Sequence, residues 1–264
     1  MTMAFAIRLL AAFFAGLVGG GINSVAGGGS MVGFPVLLAV GLAPLSANMT
    51  NTVGIWPGSL GSIWGFRVEF ARVPKVYRWL LVPSLAGAML GAYLLRVTSP
   101  VLFAKIVPGL ILFATAMFMV APAIRSKLKA RLEPGHQEHA GRVGRRELIA
   151  VVALQIAVSI YGGYFGAGMS ILMLSILSVI GMTDMLEMNA MTSFLSLFIN
   201  GVAGVYFLFS GLVSLSYAAP MAAGAILGGY YAAGLARRVG NVWIRRLVIA
   251  IGVTLATVML VRLL

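Results

Sequence analysis

Long apolar runs alternate with short polar breaks along the whole chain, and the runs fall into two similar sets. In the first set they cover about residues 4–22, 30–42, 48–65, 78–96 and 101–122; in the second, about 147–165, 170–182, 188–210, 214–236 and 242–263. A helix crossing the hydrocarbon core of a bilayer needs about 20 apolar residues, so most runs predict spanning helices. The second run of each set is shorter and follows a glycine-rich break. It predicts a half-helix, a re-entrant leg or part of a tilted crossing. The expected organisation is a first membrane repeat over 1–124, a basic cytoplasmic linker over 125–146 and a second membrane repeat over 147–264. The two repeats would form one integrated all-α bundle with short broken or re-entrant helices. The first run has the length of a signal peptide, yet its counterpart lies mid-chain, so it reads as a retained span. Inside the run 48–65, Trp56-Pro57 predicts a kink, because proline cannot continue the helical hydrogen-bond ladder.

The two sets share residues as well as hydropathy. Gly28 falls on Gly168, Ser30 on Ser170 and Gly41 on Gly181, all at one spacing. After a short slip, Met49-Thr50 falls on Met191-Thr192. Further on, Pro83-x-x-Ala86-Gly87-Ala88-x-Leu90-Gly91-x-Tyr93 repeats as Pro220-x-x-Ala223-Gly224-Ala225-x-Leu227-Gly228-x-Tyr230. Internal symmetry of this kind is what secondary transporters show, with substrate held where the repeats meet. An odd number of crossings per repeat inserts the second copy upside down, which predicts an inverted repeat.

Composition agrees with a lipid environment. Hydrophobic residues make up 61% of the chain and charged residues 9%, against about 25% charged in soluble domains. Mean hydropathy is +1.02. Without cysteine there are no disulfides, thiolate ligands or thiol nucleophiles. The net charge of +13 does not point to nucleic acid, because the basic residues sit in breaks between apolar runs. Arg67, Arg72, Lys75 and Arg78 occupy one break, Arg237, Arg238, Arg245 and Arg246 another, and Arg125, Lys127, Lys129, Arg131, Arg142, Arg145 and Arg146 the central stretch. This is the positive-inside pattern, with contact to anionic headgroups expected at the basic loops. A cytoplasmic linker puts Arg67–Arg78 and Arg237–Arg246 inside, and Gly211–Ser216 and both termini outside. Arg96 and Lys105 fall near the outer face, against that rule. Trp64, Trp79 and Trp243 sit where interfacial aromatics belong.

The candidate chemistry lies in the glycine-rich breaks, Gly27-Gly28-Gly29-Ser30 and Gly166-Ala167-Gly168-Met169-Ser170. Each opens a short helix whose first turn presents unpaired N–H groups and partial positive charge, which favour anions. Irregular backbone is tolerated at membrane depth only where protein or a wet cavity covers it. Two such ends facing each other near the midplane would cradle a small oxyanion. Small residues also serve plain close packing of helices. A second constellation is polar and uncharged: Asn23 in the first break, then Asn48, Thr50, Asn51 and Thr52, matched by Asn189, Thr192 and Ser193, with Ser196 and Asn200 deeper. Amides and hydroxyls can bind sulfonate or carboxylate oxygens without a fixed cation, and they also cap and glue helices. The six acidic residues, Glu69, Glu133, Glu138, Glu147, Asp184 and Glu187, fall in loops or at run ends. Cation and proton carriers place such groups deep in the membrane. His136 and His139 lie in the linker with no third ligand nearby, so no metal or cofactor is expected.

The chain resembles the sulfite exporter TauE/SafE family of membrane anion transporters. The resemblance rests on Gly19-Gly20-Gly21, Ala26-Gly27-Gly28-Gly29-Ser30, Pro35, Gly41-Leu42, Ala47-Asn48-x-Thr50-Asn51 and Pro57-Gly58. In the second half it rests on Tyr161-Gly162-Gly163-x-x-Gly166-x-Gly168, Asn189-Ala190 and Asn200. Met169 stands where glycine is expected in the second break. The resemblance implies transport of sulfite, sulfonates or similar small organic anions across the cytoplasmic membrane, and names neither direction nor coupling ion. The residues themselves point to a carrier working by alternating access, with Asn23, Gly27, Gly28, Gly29, Ser30, Asn48, Thr50, Asn51, Gly166, Gly168, Ser170, Asn189 and Thr192 as candidate substrate contacts. An anion channel or a carrier of small carboxylates would use the same helix ends, and a homodimer is compatible with either. An intramembrane hydrolase is disfavoured, since Ser30 and Ser170 have no histidine base in a span.

Overall fold

The computed structural model describes residues 3–25, 27–131, 145–182, 184–236 and 242–261. The linker residues His136, His139, Glu133, Glu138 and Arg142 lie outside the described residues, as do Ala26, Arg237 and Arg238. Every regular element among the described residues is helical. In chain order these are α1 (Met3–Val25), α2 (Ser30–Ala39), α3 (Pro44–Ile55), α4 (Gly58–Gly65), α5 (Arg67–Arg72), a 3-10 helix (Lys75–Leu80) and α6 (Leu81–Val97). They continue with α7 (Pro100–Arg131), α8 (Arg145–Tyr164), α9 (Met169–Val179), α10 (Met185–Leu208), α11 (Leu215–Ala236) and α12 (Val242–Val261).

Segments at Met3–Ser24, Lys75–Val97, Pro100–Ala123 and Met185–Leu208 are long and apolar enough to cross a membrane. With 10 and 11 residues, α2 and α9 each rise only about 15 Å, half the thickness of a hydrocarbon core. Large apolar side chains face outward all around the bundle, among them Phe14, Val82, Val101, Met119, Ile149 and Tyr231. A protein surrounded by water does not carry such a surface; this is an integral membrane protein. The run 48–65 is two helices, because Trp56-Pro57 interrupts it: Ser59 and Leu60 N–H groups reach back only three residues, to Trp56 O and Pro57 O. The fifth run is longer than its hydropathy predicts, with α7 continuing through Arg125 to Arg131.

The long helices pack mainly across the two halves. Helix α1 lies along α11, and α8, the counterpart of α1, lies along α6, the counterpart of α11. Likewise α4 packs on α11 while α10 packs on α6, and α7 packs on its own counterpart α12. The short helices follow suit, α2 touching α1 and α12, α9 touching α8 and α7.

The repeated glycine motif explains why these pairs come so close. A Cβ on Gly224 would overlap the Phe13 carbonyl, and one on Gly228 the Leu17 carbonyl. In the other pair, a Cβ on Gly87 would meet the Ile156 carbonyl at 2.6 Å, and one on Gly91 would overlap the Ile160 carbonyl. Gly87 and Gly91 are the residues that the motif aligns with Gly224 and Gly228. Lipid tails offer no hydrophobic drive for helix association, so close backbone approach through small residues supplies it instead.

These contacts predict a selective cost. Gly91→Val and Gly228→Val each force two backbones apart and lower the thermal midpoint in detergent, at a cost of about 1–3 kcal/mol or more. Gly109→Ala, with nothing within 4 Å of its Cβ position, leaves the midpoint unchanged or raises it. Circular dichroism melts of the purified variants check both.

Candidate functional site

The two glycine-rich breaks are built by one local device. Gly27 N–H donates to Ile22 O at 3.0 Å, closing α1, and Gly166 N–H donates to Tyr161 O at 3.0 Å, closing α8. Both glycines hold positive φ, +74° and +77°, a left-handed helix ending that a side chain disfavours. The far ends of the short helices match too: Leu42 N–H reaches Leu37 O and Met182 N–H reaches Leu177 O, around Gly41 and Gly181 at φ +103° and +94°.

The breaks meet in space. Gly168 N–H donates to Gly27 O at 3.1 Å, and a Cβ on Gly27 would overlap the Ser170 side chain. Gly29 lies against the Gly19 carbonyl of α1, with Asn23 Cβ 3.1 Å from where its own Cβ would be. Over both breaks lies Phe118 of α7, a fully buried ring. A Cβ on Gly28 would overlap the tip of that ring, and one on Gly168 would sit 3.6 Å from it. Phe34 of α2 packs edge-on to Phe165 of the second break, with ring centroids 5.8 Å apart. The sequence offers no sign of Phe118, one apolar residue in an apolar run. Tyr161, part of the second motif, donates its hydroxyl to Ala167 O at 2.6 Å and so holds the second break in shape.

The polar constellation divides into structural and unengaged groups. Thr50 Oγ1 accepts from Ser214 N at 3.0 Å, tying α3 to the α10–α11 loop. Thr192 Oγ1 donates to Asn189 O within its own helix. Asn189 and Thr192 are buried on α10, and Ser170 is buried at the start of α9. Asn48 Nδ2 donates to Tyr164 O at 3.0 Å, at the lip of the second break, which leaves Asn48 Oδ1 buried without a partner. Asn51 is 0% exposed, and neither atom of its amide has a partner. It faces α2, where a Cβ on Gly33 would overlap its oxygen. Asn200 Oδ1 lies 3.8 Å from the Cβ position of Gly166, and Ser24, in the last turn of α1, is buried with an unpartnered hydroxyl. Each unmade bond of this kind costs about 1–3 kcal/mol, so a concentration of them beside two helix starts marks a place where polar atoms await a partner.

Electrostatics around the breaks favour negative charge by arrangement. Neither α2 nor α9 has an acidic residue in its first turn, so no carboxylate offsets the partial positive charge of those ends. Contrary to the expectation of unpaired N–H groups, Met31, Val32 and Gly33 N–H donate to Gly28 and Gly29 carbonyls, and Met169 and Ile171 N–H to Gly166 and Gly168 carbonyls. Asp184 is an N-cap whose Oδ1 accepts from Leu186 N at 2.7 Å and Glu187 N at 3.0 Å. Glu69 is buried on the short α5, in the basic break rather than within a long span. No three His, Cys, Asp or Glu residues gather among the described residues. Trp56 donates its indole N–H to Leu197 O at 2.9 Å and lines an apolar cavity of about 630 Å3 with Leu60, Met89, Phe198, Gly201 and Phe209. None of the candidate contacts lines that cavity.

Comparison with known proteins finds one family and several relatives among membrane transporters. The family model described as Sulfite exporter TauE/SafE matches residues 12–259. A probable membrane transporter protein, ORF9, of a Sinorhizobium species is 31% identical over 255 residues, covering 95% of this chain and 92% of that protein. A probable membrane transporter protein of Haemophilus influenzae is 26% identical over 254 residues, covering 94% and 92%. The probable membrane transporter protein YfcA of Escherichia coli is 27% identical over 120 residues, 45% of this chain and 44% of its own length. No solved structure matches.

The contact between ring and glycine predicts a coupled pair. Gly28→Ala lowers the thermal midpoint, Phe118→Leu relieves part of that loss, and the double-mutant cycle gives a coupling of about 0.5–3 kcal/mol. Gly168→Ala, strained by its backbone at φ +80° at about 1–2 kcal/mol, gains much less from Phe118→Leu.

Proposed function

This chain belongs to the sulfite exporter TauE/SafE family, and on that footing we propose that it carries a small organic or sulfur oxyanion across the cytoplasmic membrane by alternating access. Sulfite, a sulfonate or a similar species is the cargo. The observation that carries this reading is the junction of the two breaks: Gly168 N–H on Gly27 O, with the unpartnered amide of Asn51 and the free oxygen of Asn48 close by. A carrier needs a central place where both halves contribute, and this is where they do.

Opposite orientation of the halves is part of the proposal. The odd number of crossings expected in each half supports it, as does the contrast between the basic break at Arg67–Arg78 and the uncharged stretch at Gly211–Ser216. The reciprocal packing of α1 on α11 and α6 on α8 and the repeated motif support the duplication itself. In this scheme the basic break at Arg67–Arg78 faces the cytoplasm beside anionic headgroups, and the uncharged loop near Gly211 faces outward. Phe118 closes the ground state over Gly28 and Gly168. Its withdrawal would expose the first turns of α2 and α9 to an anion entering from one side, while packing seals the other. The helix ends and the Asn amides would then take over hydrogen bonds that water made in solution, with first-turn N–H groups such as Met31 and Val32 giving up their present bonds to Gly28 O and Gly29 O. The chemistry is binding and release; no covalent step is required of any residue.

Purified protein in liposomes loaded with sulfite should exchange it for external labelled sulfite faster than net efflux occurs, the signature of a carrier. Phe118→Ala should add a passive leak to nitrate that the wild type lacks, measured by liposome swelling. Absence of exchange for sulfite, sulfoacetate, ethanesulfonate and the 2-hydroxy and 2-amino ethanesulfonates alike would remove this reading, and a leak unchanged by Phe118→Ala would remove the gate.

A further inference from the structure

We infer that the carried anion brings a hydrogen-bond donor of its own, an ammonium or hydroxyl group beside the oxyanion. The inference rests on the reading of the junction as the substrate site, and it follows from which atoms there lack partners. Asn48 is oriented without ambiguity, because Tyr164 O is an acceptor and only the amide nitrogen can face it, at 3.0 Å. Its free end is therefore the oxygen, an acceptor, on a residue 1% exposed. Asn51, three residues on and so on the same face of α3, is 0% exposed and offers both ends, one acceptor and one NH2 donor. Whichever way that amide is turned, its inventory is the same. The pair thus presents two unpartnered acceptors and one donor group.

A bare oxyanion carries acceptors only. It would satisfy Asn51 Nδ2 and press its own oxygens toward two amide oxygens that need donors. An anion with a hydroxyl supplies one donor; an anion with an ammonium supplies three, enough for Asn48 Oδ1 and Asn51 Oδ1 together. Sites built to hydrogen-bond a substrate OH or NH discriminate strongly against the analogue lacking it, because their own buried groups are then left unpaired. The oxyanion end would meet the helix starts at the breaks, and the donor end would meet α3. The preferred cargo is therefore a short zwitterion or hydroxy acid, an aminoalkyl or hydroxyalkyl sulfonate or carboxylate, ahead of a simple alkyl anion.

Three ethanesulfonates of near-equal size test this on the intact purified chain in detergent: unsubstituted, 2-hydroxy and 2-amino, each titrated by calorimetry. Affinity should rise in that order, with about ten-fold or more between the ends of the series. Asn51→Leu should reduce that spread to about two-fold; Asn51→Ala serves as a second variant, and the wild-type series decides the matter if neither folds. Equal or tighter binding of the unsubstituted anion overturns the inference and leaves the transport reading standing, with water or the chain itself satisfying the amides. Binding of none of the three, with no binding of sulfite either, overturns the substrate site and the inference with it.

Discussion

Backbone polar groups have nowhere to go in hydrocarbon, and this constraint shapes the centre of the molecule. A helix satisfies its own N–H and C=O groups; a broken helix does not, and each orphan at membrane depth must find protein. Here two breaks fall in corresponding parts of the chain and answer each other, with the Gly168 N–H on the Gly27 carbonyl. The rest follows from holding them together. Glycine caps turn the chain without a side-chain clash, Tyr161 pins the second break through Ala167, and Phe118 covers what would otherwise be bare main chain. The two short helices can then begin inside the bundle rather than at its surface.

Holding breaks together requires the flanking helices to approach closely, and small residues supply that approach. Helix α1 against α11, and α6 against α8, are backbone-to-backbone contacts in which glycines meet carbonyls. The two interfaces are not identical in chemistry. Between α6 and α8, buried Gln155 donates to Ser84 Oγ at 2.7 Å; at the position of Ser84 the other interface carries Met221, wholly buried among Gly16, Gly33 and Gly54. One pair adds a polar bond to its backbone contacts; in the other, Met221 meets Gly16 of α1 with its backbone and turns its thioether toward Gly33 of α2 and Gly54 of α3.

Polarity is distributed with the same economy. Exposed cations such as Arg67, Arg72 and Lys75 stay in the break between α4 and α6, Arg67 resting over Trp64 at 5.8 Å, while the centre relies on amides, hydroxyls and helix ends. A fixed buried cation would bind an anion tightly and release it slowly; under the proposed function, neutral donors would hold it more loosely. Thr50 is engaged differently from its neighbours in the α3 cluster, because its hydroxyl accepts from Ser214 N–H in the α10–α11 loop.

Helix positions and the places where helices end were legible in the chain, because hydropathy over a span and a glycine at positive φ are local properties. The prediction for residues 48–65 of a kink at Trp56-Pro57 belongs to the same class, as does the pairing of Gly41 with Gly181. Tertiary structure alone decided that Gly27 and Gly168 share a hydrogen bond, that Phe118 lies on both breaks, and that Asn48 turns its nitrogen to Tyr164 and leaves its oxygen free. It also separated Thr50, engaged with a loop, from Asn51, engaged with nothing, although the two are adjacent in sequence. Adjacent residues on a helix point about 100° apart, and which of those directions meets a partner depends on segments more than a hundred residues away, about which the local pattern carries no information.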